Sequence, residues 1–131
     1  MIVVDTSAIV AILQQEDDAS LYAEAIADAD PPLISAATLV EVGIVMFNRH
    51  GPKAARMVDE FVEQAGFQVE SVSARHAQLA RDAYAAYGKA AKGAGLNYGD
   101  CFSYALAKAT GLPLLFKGRD FLRTDLASVL E

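Results

Sequence analysis

The feature that most constrains the fold of this chain is the alternation of short apolar runs with helical segments. The chain opens with the β-branched run MIVV, and similar runs recur as LIS at 33–35 and LPLLF at 112–116, each after a stretch with helical periodicity. Short apolar runs between turn residues are typical of buried strands, and strands that alternate with helices are typical of parallel sheets covered by helices. The pattern therefore predicts an α/β fold with three layers, α/β/α, around a mostly parallel central sheet.

Turn residues divide the rest of the chain into helices. Pro31 and Pro32 end the second helix, and Gly66 ends the fourth. The segment FQVESV at 67–72 alternates like a further strand. No linker or repeat interrupts the pattern, so we expect a single domain over residues 1–131. The predicted helices cover approximately residues 7–14, 17–29, 36–50, 52–65, 74–92 and 98–110.

The composition excludes several classes of protein. Hydrophobic residues make up 53% of the chain, which is enough for a sizeable core and too many for intrinsic disorder. A single cysteine cannot form an internal disulfide, which is typical of a reducing compartment. The apolar stretch 31–48 opens with two prolines and contains Glu41, which disfavours a membrane span. We therefore expect a soluble, cytoplasmic protein with no membrane partner.

The net charge of −6 argues against a nucleic-acid partner until its distribution is considered. Residues 1–48 carry eight acids and no Lys or Arg, whereas residues 49–123 carry all eleven Lys and Arg against seven acids. Such asymmetry permits a cationic face on an acidic protein. Solvated charges without a partner are an equally good interpretation of these counts.

Two acids stand alone in apolar surroundings. Asp5 directly follows the first strand and is the only charged residue of residues 1–15, and Glu41 is the only one of residues 31–48. Carboxylates are rarely buried unless they are paired or bind a metal. No Lys or Arg lies near either acid in sequence, so any partner must come from elsewhere in the fold.

Two further acids have ordinary alternatives. Asn97 precedes the last helix and makes Asp100 the third residue of a possible capping box, but Asp100 also lies off the apolar stripe of that helix and can face a cleft. Asp120 follows the last strand, where a surface ion pair with Lys117 or a nearby arginine is the alternative. Local sequence leaves both interpretations open.

The predicted fold gathers these acids at one edge of the sheet. In a parallel sheet, the carboxyl ends of the strands and the starts of the following helices share one edge, where ligands bind. Asp5, Asp100 and Asp120 are expected there. Clustered carboxylates repel unless a cation lies between them, and oxygen ligands without His or Cys suit Mg²⁺ or Mn²⁺. Such ions activate water in phosphodiester hydrolysis and would offset the acidic charge toward RNA phosphate.

These motifs together resemble a known family. The opening MIVVDTSAIVAIL, the segment SAATLVEV, the segment LNYGDCFSYALAKATGLPLLFKGRDF and the length resemble PIN-domain ribonucleases, in particular the VapC toxins of bacterial VapBC toxin–antitoxin systems. The resemblance spans essentially the whole chain and implies the PIN-like three-layer fold. It matches Asp5, Glu41 and Asp100 to the three main acids of the family. Asp120 is the candidate for the fourth acid, although its turn, FKGRD, lacks the Thr or Ser that many relatives carry just before that acid.

The resemblance also implies roles and partners. Asp5 and Asp100 are the expected Mg²⁺ ligands, with Mn²⁺ as a substitute, and Glu41 supports the metal or its water. Thr6 and Ser7 match the polar pair after the first acid, and they either hydrogen-bond the site or cap the helix. The implied activity is a Mg²⁺-dependent endoribonuclease that cleaves RNA with a metal-activated water. A VapB-type antitoxin that inserts a basic residue into the site, and a homodimer, are the implied protein partners.

Three alternatives remain open. A haloacid-dehalogenase-like phosphatase also places an Asp after the first strand but needs a second acid where Ser7 stands. A receiver-like domain would use Lys117 but needs an acid beside Asp5. A catalytically inactive PIN-type binding module is the third, and the intact acids argue against it.

Other residues have uncertain roles at this level. Cys101 has no histidine placed near it, so packing is a better interpretation than nucleophilic catalysis. Basic and aromatic residues before the last helix could guide RNA phosphates toward Asp100 and stack on bases, or could form an ordinary solvated helix face. These are Lys89, Lys92, Tyr84, Tyr87 and Tyr98.

Overall fold

A computed structural model describes residues 1–89 and 95–130, and its centre is a parallel sheet. The strands are β1 (Ile2–Val4), β2 (Pro32–Ser35), β3 (Gln68–Glu70) and β4 (Leu114–Leu115). The helices are α1 (Thr6–Leu13), α2 (Ala19–Asp28), α3 (Ala36–His50), α4 (Ala54–Ala65), α5 (Ala74–Tyr87) and α6 (Tyr98–Thr110), with a 3₁₀ turn at Gly51–Lys53 before α4.

The sheet has the strand order β3-β2-β1-β4, and all of its pairings are parallel. Strand β1 therefore lies in the interior, where Val3 is in register with Leu33 of β2 and Leu114 of β4. Strand β1 has a neighbouring strand on each side, and helices cover both faces of an interior parallel strand. All three of its residues are buried, which explains why MIVV is β-branched and uniformly apolar.

Alternate residues of the central strands supply two separate cores. Val4 and Ile34 pack among helices α1 to α4 on one face, whereas Val3 and Leu114 pack against α5 and α6 on the other. This division follows from the two-residue period of a strand. The predicted three-layer α/β/α architecture with a parallel sheet is confirmed.

The sequence prediction was wrong about two element lengths. Helix α5 ends at Tyr87, because the backbone of Gly88 is extended (φ −65°, ψ 173°) and Gly88 pairs with Leu96 in an isolated bridge. The predicted end at Lys92 lies outside the described residues. The last strand has only two residues, since Pro113 has no N–H with which to extend the ladder.

The helix lengths also bear on the membrane question. The 15-residue α3 is the longest helix in the described part of the chain, and no helix there is long and apolar enough to cross a bilayer.

Candidate active site

The carboxyl edge of β1 places Asp5 at the centre of the site. Because β1 lies between β2 and β4, the residue that follows it emerges between the ends of its neighbours. Asp5 is 3% exposed and is itself the N-cap of α1, since its Oδ2 accepts the backbone N–H of Ser7 at 3.1 Å. Of the two alternatives for Thr6 and Ser7, capping is therefore wrong, since the helix begins at Thr6, and both hydroxyls instead bond acids of the site.

Hydroxyl groups from two helices, α1 and α6, hold the Asp5 carboxylate. The Ser7 hydroxyl donates to Oδ2 at 2.7 Å and accepts the backbone N–H of Lys117 at 2.9 Å. The Ser103 hydroxyl of α6 donates to Oδ1 at 2.6 Å, and Ser103 lies 3.2 Å from the hydroxyl of the buried Thr38. Both oxygens of Asp5 are thus oriented by neutral donors, which leaves its negative charge unbalanced.

Helix α3 brings Glu41 to the same edge. Its Oε1 accepts the Thr6 hydroxyl at 2.5 Å. The first turn of α6 approaches so closely that a Cβ on Gly99 would lie 2.1 Å from Glu41 Oε2. Burial raises the pKa of Glu41, the bond from Thr6 partly offsets this, and the charge of Asp5 raises the pKa further.

Asp100 lies in the first turn of helix α6 and is both a member of the capping box and a member of the cluster. It forms the predicted capping box: its N–H donates to Asn97 Oδ1 at 2.9 Å, and its Oδ2 accepts the Asn97 N–H at 3.0 Å. It is 8% exposed. Burial raises its pKa to about 7; the Asn97 bond opposes this rise, and the charges of Asp5, Asp120 and Glu41 add to it.

Asp120 joins the cluster at its exposed rim. Its charge contributes to the raised pKa of Asp100, and its Oδ1 would lie 3.6 Å from a Cβ on Gly95. The alternative ion pair with Lys117 is not formed. Lys117 instead bonds Glu16 and, at 3.0 Å, Asp18, which ties the loop after β4 to the α1–α2 connection.

The four acids suit a cation that the protein does not itself supply. None of them pairs with a Lys or Arg of the described residues. The donor set consists of carboxylate and hydroxyl oxygens, which hard divalent cations prefer. In the described part of the chain no three acidic, His or Cys side chains are arranged so as to hold an ion jointly. The chemistry of the residues therefore fits a divalent ion, while the side chains as they stand are not closed around one.

Other predicted residues take different places. Cys101 is buried, and burial with the charge of Asp100 raises its pKa to about 11, so it is not an activated thiol. Tyr87 packs on Tyr104 with ring centroids 5.8 Å apart. Tyr84 and Tyr98 remain exposed, and Lys92 lies outside the described residues.

Sequence reasoning missed three residues that shape the site. Ser103 and Thr38 are small polar residues inside apolar helical stretches, which is the only local signal that they carry. Gly99 lies in the first turn of α6, where a glycine with no turn to form indicates a close approach. Their partners lie far away in sequence, so the pattern alone could not name them.

The chain matches known proteins over almost its whole length. The model of the PIN domain matches residues 2–126. Ribonuclease VapC28 of Mycobacterium tuberculosis is 51% identical over 130 residues, covering 98% of each chain. Ribonuclease VapC of Mycolicibacterium smegmatis is 50% identical over 127 residues, covering 97% of this chain and 98% of its own.

Solved structures share the fold. Mycobacterium tuberculosis VapC20, described as a sarcin–ricin loop cleaving toxin, superposes with a TM-score of 0.79 and 21% identity over 97% of both chains. A chain of a toxin–antitoxin complex from Klebsiella pneumoniae superposes with a TM-score of 0.70 and 20% identity, covering 95% of this chain and 93% of that one. At these identities the likeness concerns the fold alone.

Proposed function

The chain belongs to the PIN domain family, and from this premise we propose that it is the toxin of a type II toxin–antitoxin system and acts as an endoribonuclease. The observation that carries the proposal is the gathering of Asp5, Glu41, Asp100 and Asp120 at one sheet edge, with the pKa of Asp100 raised to about 7. The family predicted from the sequence is confirmed. The phosphatase-like and receiver-like alternatives have no support.

Nucleases of this family depend on divalent metal ions. We propose Mg²⁺ for this chain, with Mn²⁺ as a substitute, and Asp5 and Asp100 as the ligands. When bound, such an ion supplies Lewis-acid stabilisation of phosphate charge and a water nucleophile at neutral pH. Glu41 stands beside them to hold that water or the ion, and Asp120 at the rim is the candidate fourth acid.

The other residues of the site keep these acids in position. The hydroxyls of Ser7 and Ser103 orient the two oxygens of Asp5, and Thr6 orients Glu41. All three donors are neutral, so they fix geometry without taking up the charge that the metal needs. Asn97 does the same for Asp100 through its backbone N–H. The substrate in this proposal is RNA, whose phosphate enters a pocket neutralised by the ion.

We propose two protein partners. An antitoxin of the VapB type would block the site with a basic residue, which the unpaired charge of the acid cluster favours. A second copy of the chain would cover the exposed apolar stripe of α3, formed by Val40, Ile44 and Phe47, whose exposed fractions are 62%, 56% and 56%. Exposed apolar stripes of this kind mark protein contacts. A cytoplasmic location follows from the proposed substrate and antitoxin.

The first experiment is cleavage of total cellular RNA by the antitoxin-free chain with Mg²⁺, Mn²⁺ or EDTA. We expect discrete fragments with either metal and none with EDTA. Asp100→Asn keeps an acceptor for the Asn97 N–H, so the capping box and the fold are retained while a ligand is lost. We expect its activity to fall at least about 100-fold, since changing even an outer partner of a metal ligand costs roughly 10–100-fold.

The matched control is Asp125→Asn, which removes a carboxylate that lies against the same helix but contacts Tyr104 and Lys108. It should cleave like the unaltered chain. Absence of cleavage by folded protein with both metals would favour the inactive binding module. Undiminished cleavage by Asp100→Asn would refute the carboxylate mechanism.

A further inference from the structure

A hollow of about 460 Å³ opens between α5 and α6. The small side chains of Ala77 and Ala80 leave room on the α5 side, and the rings of Tyr84, Tyr98 and Phe102 line the rest of it. Tyr84 and Tyr98 are 46% and 79% exposed, so their rings are open to a ligand. The volume lies in the range of small-ligand sites, roughly 300–1,000 Å³.

Two cations also line this hollow. Arg81 of α5 and Lys89 contribute to its lining, and neither forms an ion pair with any described residue. Two cations that no described carboxylate neutralises thus lie beside open aromatic rings, although the chain as a whole has a net charge of −6. Rings that accept a stacked base, next to cations that accept phosphate, are the combination that single-stranded nucleic acids bind.

The hollow is joined to the acid cluster through the start of α6. Asn97 lines the hollow, and its side chain and backbone N–H form the capping box with Asp100. Tyr98 and Phe102 pack edge to face with centroids 5.0 Å apart. The same two rings line a second hollow that contains Glu41. The pair therefore forms a ridge between the aromatic hollow and the acids.

We propose that the hollow between α5 and α6 is a nucleobase subsite, which holds an unpaired base of the RNA next to the phosphate that is cut. This rests on the ribonuclease function proposed above. Tyr84 and Tyr98 stack on the base, while Arg81 and Lys89 contact the phosphates on either side of it. Bases in a duplex are stacked inside the helix and cannot enter, so the subsite selects splayed bases of loops and single strands.

The kinetic test uses two variants in the full chain. Tyr84→Leu keeps apolar volume but removes the ring, and we expect the KM for RNA to rise about 5- to 150-fold while kcat is retained, the effect of one lost stacked base. Tyr84→Phe keeps the ring, so its rise in KM should be much smaller than that of Tyr84→Leu. Arg81→Gln should raise KM and flatten its dependence on salt concentration. An unchanged KM in Tyr84→Leu would overturn the subsite.

The matched charge control is Arg56→Gln. Arg56 lies on α4, outside the hollow, and pairs with Glu60. Its loss should leave both KM and the salt dependence unchanged. An equal rise of KM in Arg56→Gln and Arg81→Gln would show that net charge alone matters, which would contradict the role given to the hollow.

A binding test separates the subsite from the ribonuclease function. Asp100→Asn chain is irradiated with cellular RNA containing 4-thiouridine, and the crosslinked peptides are identified by mass spectrometry. We expect crosslinks to the peptides of α5 and α6 that carry Tyr84 or Tyr98. Crosslinks elsewhere, with metal-dependent cleavage by the unaltered chain, would overturn the subsite alone.

Two other outcomes also decide the question. RNA that is neither cleaved by the unaltered chain nor crosslinked would refute the ribonuclease function and the subsite together. A change in the mass of the assembly in solution on Tyr84→Leu, with unchanged RNA affinity, would assign the hollow to a contact between copies and overturn the proposal.

Discussion

Asp100 lies in the first turn of helix α6 and Asp125 lies against later turns of the same helix, but the two carboxylates differ in burial and in the charges around them. Asp125 accepts the Tyr104 hydroxyl and the Lys108 ammonium, each at 2.6 Å. Burial raises its pKa, but these two bonds outweigh burial, and the net pKa is lowered. Asp100 is more deeply buried and faces three other acids, and its pKa rises to about 7.

The difference separates a carboxylate that the fold itself neutralises from one that we propose to be functional. The charge of Asp125 is balanced by Lys108, so this carboxylate needs no cation from outside the chain. The charges of the acid cluster are oriented by neutral hydroxyls and balanced by no described cation, which leaves them for an ion from outside. Buried groups with strongly perturbed pKa values and no internal partner are typical of functional sites.

The largest predicted effect concerns the stability of the metal-free chain. Because the pKa of Asp100 is higher in the folded chain than its ordinary 3.8, the free energy of unfolding in EDTA should fall as pH rises from 3.8 to about 7, and then level off. Asp100→Asn should remove most of this fall, with a smaller part remaining from the raised pKa of Glu41, and should be more stable above neutrality by up to about 4 kcal/mol. Urea unfolding across pH measures it.

Asp125→Asn is the opposite case and should be less stable than the unaltered chain at neutral pH, since it loses a balanced pair. Added Mg²⁺ should reduce the difference in the free energy of unfolding between the unaltered chain and Asp100→Asn. If Asp100→Asn were the less stable protein in EDTA above neutrality, the two carboxylates would not differ as described.

The second prediction concerns a substitution at Gly99 that moves the Glu41 side chain without replacing Glu41. Gly99→Ala puts a Cβ where the Glu41 carboxylate lies, and the flexible end of that side chain must move away from Thr6. We expect cleavage to fall about 10- to 100-fold with little loss of stability. Gly43→Ala is the control: its Cβ would meet nothing within 4 Å, so it should stabilise the chain by about 0.4–1 kcal/mol and leave cleavage unchanged.

The result that counts against the placement of Glu41 is full activity in Gly99→Ala. Equal losses in both glycine variants would point to a general effect on the helices instead. Rates and unfolding curves measured on the same preparations distinguish these cases.

The third prediction concerns the hydroxyl that orients Asp5. Ser103→Ala removes the donor to Asp5 Oδ1 and leaves Thr38 without that partner. We expect the metal affinity to fall about tenfold, so that the Mn²⁺ concentration needed for half-maximal cleavage rises about tenfold. The free energy of unfolding should fall by about 1–2 kcal/mol. An unchanged activation curve with reduced stability would make Ser103 a packing residue only.

The smallest predicted effect concerns Asp125, the carboxylate whose charge is balanced within the chain. Tyr104→Phe removes the buried hydroxyl that donates to Asp125 and should cost about 0.5–1.5 kcal/mol in stability. Cleavage and metal activation should not change, because Asp125 is outside the acid cluster. Any shift of the Mn²⁺ activation curve would show that the two regions of α6 are coupled.

The fold was largely predictable from the sequence because local and global signals agree. Helix α3 and helix α6 have the predicted limits, Ala36–His50 and Tyr98–Thr110, since Ser35 and Asn97 are strong caps and Gly111 is a left-handed end. The predicted end of α5 was wrong, because alanine-rich sequence continued beyond Gly88 while tertiary pairing with Leu96 turned the chain away.

The site was predictable only in part. Asp5 and Glu41 attract notice without a structure, because a lone charge in an apolar segment is costly unless the fold gives it a purpose. The surroundings of Asp120 and Lys117 were not predictable, since exposed ion pairs depend on small differences in side-chain placement. Lys117 pairs with Glu16 and Asp18, one hundred residues or so away along the chain.

The sequence by itself determined the alternation of strands and helices, the caps and the isolation of the acids, because these depend on neighbours within a few residues. Only the tertiary structure decided what surrounds each acid. Ser103 reaches Asp5 across 98 positions, and Glu41 meets Thr6 across 35. Such pairs are set by the parallel register of β1 and by the close approach at Gly99, and neither is encoded in any single stretch of the chain.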